Sequence, residues 1–414
     1  LSTPPPSYRA VLRTPGVRPA FLPSIIGRLS LATSGLALVL MLEQSTGSFA
    51  IAGAITAALG IANVIATPVR ARLIDRRGQL AVMTALGALH ALSLIAFAVF
   101  PAAPLPVLLV LSVVAGVSSP PFGATMRVVW SHALPAGALR TRGFSLDAVA
   151  EEVTFAVGPL VAAALVALSG PVAALVLSAG CVAVGTGLFV ASGLSRQQRG
   201  SHRITADAPA FPSARTPLRS RGFLPVVLAM TAPGLILGAV ELAAPALAVE
   251  ADAPFMAGIL LALFASASAI GGLLFGRLRL PGSHAAQLLA MLGVLVLCTG
   301  VAGTVGGLVA GAVGLVLGGL CLAPLLIVGY LSADELTDPR VRTEASSWIN
   351  TAVNLGAAVG ALVFGAITDA ATPGWALAAT ALVAAGIGVA VGPVLVRHAA
   401  PPDAAPDGAA EATG

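Results

Sequence analysis

The chain has 414 residues, of which 57% are hydrophobic and only 9% charged, with a mean hydropathy of +0.97. Soluble domains carry roughly 25% charged residues, so a water-exposed globule is excluded and a membrane protein is expected. All 22 basic residues are arginine against 17 acids, and the net charge of +5 belongs with orientation in an anionic bilayer rather than with nucleic acid.

Residues 1–19 are rich in proline and arginine and lack the pattern of a cleaved leader. A spanning helix needs about 20 apolar residues at 1.5 Å rise each. Twelve runs meet that length: 20–42, 48–68, 80–100, 104–126, 146–168 and 171–193, then 223–249, 254–276, 285–303, 306–331, 344–368 and 373–396. They are continuous, not alternating, which excludes barrel strands. The expected fold is all-α, with a six-helix bundle over 20–193, a cytoplasmic linker over 194–222, a second bundle over 223–397 and a disordered tail over 398–414.

Arginine sets the orientation. With the N-terminus cytoplasmic, the inner segments hold 21 of the 22 arginines and the outer loops none, as the positive-inside rule requires. The lysine-free, alanine-rich composition points to a GC-rich bacterial genome and hence an inner membrane, with both termini inside. Cys181, Cys298 and Cys321 fall within apolar runs and match no metal or disulfide spacing.

Charges inside a span are costly, about 2.5–3.5 kcal/mol at its centre, and mark candidate sites. Span 1 holds Arg28, span 5 opens with Asp147, Glu151 and Glu152, and span 7 holds Glu241. Counted from Ala20 and Leu146, Arg28 lies about 12 Å deep and the glutamates about 8–9 Å deep from one face, whereas Glu241 lies about 27 Å along its span. Arg28 is therefore expected to pair with a span 5 glutamate. Asp147 and Glu151 stack at i and i+4, while Glu152 turns about 100° away. Either a fixed pair or a proton relay follows from such a cluster. Glu241 is the next candidate for a proton or a cationic substrate. Asn350 and Asn354 share one face of span 11 and are expected to line the inner cavity; His90, alone in span 3, is read as packing.

The chain also repeats. FLP recurs at 21–23 and 223–225, LRTRGFS at 139–145 meets VRTEASS at 341–347, and Gly158 meets Gly360, all at an offset of 202; Pro121 and Pro324 lie 203 apart. Two parallel six-span copies joined by an inner linker resemble the major facilitator superfamily. The loop ARLIDRRGQ, residues 71–79, strengthens the likeness, because Arg72, Leu73, Asp75, Arg76 and Gly78 match the superfamily loop, whereas Ala71 and Gln79 depart from it. The resemblance implies a secondary active transporter working by alternating access, with its site near the midplane between the halves. It further implies a monomer that needs no cofactor beyond a proton gradient. The loop then latches the halves on the cytoplasmic side, with Asp75 against the start of span 11 at Thr343 and Glu344; the plainer reading is an orientation anchor.

VTFAVGPLVAA in span 5 resembles the Gly-Pro signature of superfamily exporters through Gly158 and Pro159, with Ala162, Ala163 and Thr154 in place of its other glycines and no arginine in 107–116. This implies proton-coupled efflux of a lipophilic or weakly cationic small molecule; proton-coupled uptake of a small solute is the alternative. An intramembrane enzyme would need a motif such as HExxH, GxSxG or paired aspartates in one span, and the chain has none.

Overall fold

A computed structural model describes residues 8–135, 138–198, 217–220, 222–275, 281–337 and 342–399. Most of the expected linker, the tail beyond residue 399, and the side chains of Glu152, Thr343 and Glu344 lie outside this description. Among the described residues there is no strand, and twelve helices are long and apolar enough to cross a membrane. After a short helix at Tyr8–Arg13, these are α1 (Val17–Thr46), α2 (Phe49–Arg77), α3 (Gln79–Val99), α4 in two segments (Leu105–Ser118 and Phe122–Ala133), α5 (Ala138–Ser169) and α6 (Pro171–Ala191). The second set is α7 (Phe223–Ala229 and Thr231–Glu250), α8 (Met256–Phe275), α9 (His284–Val305), α10 (Gly307–Leu336), α11 (Arg342–Thr368) and α12 (Pro373–Ala399).

The repeat seen in sequence extends to packing. In the first half α1 packs on α5 and α6, α3 on α4 and α6, and α2 on α4; in the second, α7 packs on α11 and α12, α9 on α10 and α12, and α8 on α10. The most enclosed spans are α1 and α7, 67% and 72% buried over their apolar windows, against 28% for α8 and α12. The innermost helices are thus the first of each half. Small residues set these approaches, as in other membrane bundles. A Cβ at Gly158 would collide with Ala32 of α1, and one at its repeat mate Gly360 with the Leu235 carbonyl of α7.

The halves meet along two seams, α2 with α11 and α5 with α8. A Cβ at Gly53 would strike the Ala361 carbonyl, and one at Gly258 the Pro159 carbonyl. Ala361 and Pro159 are again 202 residues apart, while Gly53 and Gly258 are 205 apart, so the seams are similar contacts offset by about one helical turn on the glycine side. Among the described residues, the glycine-mediated approaches between halves lie toward the arginine-free face, the innermost being Gly60 with Ala358, where an added Cβ would stand 3.5 Å from the Ala358 side chain.

Of the departures from the expected form, those of spans 4 and 2 are linked. Span 4 breaks at Ser118-Ser119-Pro120-Pro121 and then continues to Ala133, past the expected end at 126. Two adjacent prolines remove two ladder donors, so the carbonyls of the first segment need other partners. Arg70 supplies them. The hydropathy run ended span 2 at residue 68 and left Arg70 in the inner loop, whereas α2 runs on to Arg77 with Arg70 5% exposed. Its Nη1 donates to the carbonyls of Gly116 (3.0 Å), Val117 (3.3 Å) and Ser119 (2.7 Å), and its Nη2 to the Asn63 side chain (2.6 Å) and Thr67 hydroxyl (2.8 Å). His90 of α3 pairs with the Ala115 carbonyl at 2.9 Å, so its place is at this cap. Pro324, the repeat counterpart of Pro121, stands alone, and α10 passes through it unbroken.

Candidate functional site

Arg28 anchors the site. Gly27 before it lies against the Phe122 ring at the start of the second α4 segment, and Gly185 of α6 lies against the Gly27 backbone; a Cβ at either glycine would collide. Arg28 is consequently walled in by α4, α5 and α6, only 6% exposed. Its Nη2 donates to Asp147 Oδ1 at 2.7 Å and its Nη1 to the Asp147 carbonyl at 3.4 Å. Glu151 Oε2 stands farther off, 4.0 Å from Nη1, with its side chain 40% exposed against 4% for Asp147.

The expected pairing with a span 5 glutamate is present at 4.0 Å through Glu151, but the closer partner is Asp147, one turn earlier on the same stripe. The cause is the start of α5. Counting from Leu146 placed the glutamates level with Arg28, but the helix begins at Ala138. Along the observed helices Arg28 lies about 16 Å from the start of α1, Asp147 about 14 Å and Glu151 about 20 Å from the start of α5. Glu152 has the depth of Glu151, but its side chain lies outside the described residues.

Beside the pair is a cavity of about 170 Å³ lined by Arg127, Phe144, Asp147, Ala148 and Glu151. Arg127 comes from the second α4 segment, where Arg127 Nη2 and Glu151 Oε2 approach Gly123 from two sides, each 4.0 Å from where its Cβ would be. The break in α4 therefore has a chemical consequence, since it leads into the segment that carries a second guanidinium to the acids of α5. Arg127 lies one residue past the apolar run 104–126 and so falls among the inner-loop arginines in the sequence. Arg28 and Asp147 pair with one another, although the buried Arg28 Nε has no hydrogen-bond partner among the described residues, while Arg127 and Glu151 line the cavity.

Across the molecule, Glu241 is exposed although Val240 and Leu242 beside it are 1% and 0% exposed. It has no ion pair or hydrogen bond among the described residues. Gly234 and Gly238 on the same helix bring α7 onto the carbonyls of Val353 and Ala357. Asn350 and Asn354 are exposed, and Asn354 Nδ2 donates to the Asn350 carbonyl at 2.8 Å and side-chain oxygen at 3.1 Å. The face they share continues through Ala358, Ala361 and Gly365, which pack on α2. That stripe is small where the halves touch and polar toward the arginine-bearing end.

Arg72, Asp75 and Arg76 are exposed at the end of α2, and Asp75 has no partner among the described residues; its expected neighbours Thr343 and Glu344 lie outside the described side chains. Gly78 is buried at φ 86°, and its N–H caps Ile74 at 2.7 Å. Gln79, which replaces the superfamily's basic residue, is 2% exposed and bonds the Ser195 hydroxyl (3.0 Å) and, through its backbone N–H, the Gln198 carbonyl (3.1 Å). The loop is fastened to the end of α6 through this glutamine.

Comparison with known proteins covers nearly the whole chain. Its structure is similar to the nucleoside transporter NupG (TM-score 0.71, 14% identity, 92% of this chain and 99% of that one). It is also similar to a bacterial homologue of the lysosomal transporter Spinster in an inward-facing conformation (0.71, 13%, 94% and 99%) and to a bacterial homologue of the iron transporter ferroportin, also inward-facing (0.67, 18%, 91% and 98%). No curated protein matches it in sequence. The family model of the Major Facilitator Superfamily matches residues 21–312. With that match over more than half its length, the chain belongs to the major facilitator superfamily and is a secondary transporter, not an enzyme.

Proposed function

We propose that this transporter expels a lipophilic or weakly cationic small molecule in exchange for protons, from a bacterial inner membrane, with the arginine-bearing face and both termini in the cytoplasm. The observation that carries the reading is the division of labour in the first half: Arg28 closes on Asp147, leaving Glu151 in a cavity with Arg127. Rocking of the halves changes the side of the membrane to which this cavity opens, and so the side on which Glu151 takes up or releases a proton. Glu241, with no cation beside it, takes its compensating charge from the cavity as a proton or as the cargo's own positive group. Asn350 and Asn354 line the path on the cytoplasmic side, and Gly158 and Pro159 form the pivot of α5 against α1 and α8.

In this orientation the seams are closed outside and the structure is the inward-facing state. The outward-facing state closes the other end. The contacts Phe49–Gly365, Gly53–Ala361 and Gly60–Ala358 run antiparallel, and the same register carried inward leads Asp75 toward the start of α11 at Arg342. Asp75 then caps a helix N-terminus, flanked by Arg72 and Arg76, while Gly78 allows the turn.

Accumulation of a chemical panel in cells with and without the protein, repeated with a proton uncoupler, tests this reading. Efflux that stops with the uncoupler, and drops at least tenfold in Glu151→Gln while cargo–cargo exchange continues, supports it. Uptake rather than efflux under the same gradient would favour the symport alternative; undiminished coupled efflux in both Glu151→Gln and Glu241→Gln would remove the role given to these acids.

A further inference from the structure

The arginine-free end of the α2–α11 seam carries a contact that the loop motif does not foretell. Asp369, just past the end of α11, reaches across to the other half and takes hold of the start of α2. Its Oδ1 accepts the Phe49 N–H at 2.7 Å, its Oδ2 accepts the Ala50 N–H at 3.1 Å, and the Ser48 hydroxyl donates to the same Oδ2. Ser48 also caps α2 itself, accepting the Ile51 N–H at 3.1 Å. Three donors that open a helix of one half are thereby bound by a carboxylate of the other. An anion at that place gains from the unpaired N–H groups and from the helix dipole.

The geometry relates this acid to Asp75. α2 and α11 run antiparallel, and each ends in an aspartate on the side where its neighbour begins: Asp75 in the last turn of α2, Asp369 after the last turn of α11. Asp369 is engaged; Asp75 is exposed and without a partner among the described residues. At the other seam the repeat counterpart of Asp369 is Ala167, at the offset of 202, so no carboxylate stands at the matching place, and the contact described there is the close approach of Gly258 to Pro159 and Ala163.

We propose that Asp369 is an outer latch, and that with Asp75 it makes the α2–α11 seam a two-position switch in which each aspartate caps the partner helix only while the other is released. This deepens the alternating-access reading and rests on it. Opening the outer end separates Asp369 from Ser48, Phe49 and Ala50, and closing the inner end supplies Asp75 with the start of α11 in exchange. The two states then differ little in free energy from this source, and loss of one aspartate alone biases the balance.

The test is the distance distribution between spin labels at Ala102→Cys and Thr304→Cys, exposed residues on the outer side of the two halves, in a background with Cys181, Cys298 and Cys321 replaced by alanine. Asp369→Ala is expected to raise the outward-open to inward-open ratio about two- to fivefold, the range set by an exposed carboxylate at a helix N-terminus. Asp369→Asn, which keeps one acceptor oxygen but no charge, is expected to fall between, and Asp75→Asn to shift the ratio the other way. The double variant is expected to return near the parent ratio. An unchanged ratio in Asp369→Ala, with helicity and monodispersity retained, overturns the latch, as does a double variant no closer to the parent than Asp369→Ala. The readout needs no cargo. A shift here together with normal coupling in Glu151→Gln would keep the latch and discard the proton route.

Discussion

Arg70 carries a full charge into a span whose apolar run stops two residues earlier, and it is tolerated because carbonyls surround it. Three of its acceptors belong to the broken end of α4, so the guanidinium completes a helix terminus in another span. Removing one member of a buried charged network costs about 3–5 kcal/mol, and the freed carbonyls have no water to turn to. Arg70→Met is therefore expected to lower the thermal midpoint in detergent by several degrees, and Arg70→Lys by less, because an ammonium cannot reproduce the planar fork. An unchanged midpoint in Arg70→Met would mean that α4 finds other donors. At this scale the sequence was informative about which groups matter and poor about how they pair. Arg28 and the acids of span 5 were visible from their cost in a membrane. The choice of Asp147 over Glu151 was not, because it turned on where α5 begins. Arg127 and Asp369 were hidden for a related reason: each lies beyond an apolar run and acquires its meaning from a helix elsewhere in the chain.

Helices come next. Twelve spans could be counted because a bilayer demands long apolar runs, and the tandem copies left matching residues at a constant offset. The break in α4 was less legible. Pro121 and Pro324 looked alike in sequence, yet only the doubled proline at 120–121, with Arg70 and His90 to receive the loose carbonyls, interrupts a helix. The seams add a prediction at this scale. Gly53 and Gly258 face carbonyls of the opposite half with no room for a side chain. Gly53→Val and Gly258→Val are expected to lengthen the Ala102–Thr304 distance and favour the outward-open form. Gly60→Ala, whose added methyl meets Ala358 at an ordinary 3.5 Å, is expected to leave the distribution unchanged. Equal behaviour of all three variants would show that the seams do not depend on these approaches.

Taken as a whole, the molecule places its uncompensated groups unevenly. The first half holds the Arg28–Asp147 pair with Glu151 and Arg127 beside it; the second contributes Glu241, Asn350 and Asn354. The packing of the two halves is a repeat, while their chemistry is not, and that asymmetry gives one side the ion pair and the other an exposed acid with no partner among the described residues. Rocking about two small-residue seams is the motion such packing permits, and in the proposed cycle Glu151, in the cavity beside Arg127, is the group that carries the proton. The most direct measurement is proton flux in proteoliposomes driven by a cargo gradient alone, read with an internal pH dye. The account predicts protons moving opposite to cargo in the parent protein and, in Glu151→Gln, cargo exchange with proton movement lost. Cargo-driven proton flux of parental size in that variant would contradict it.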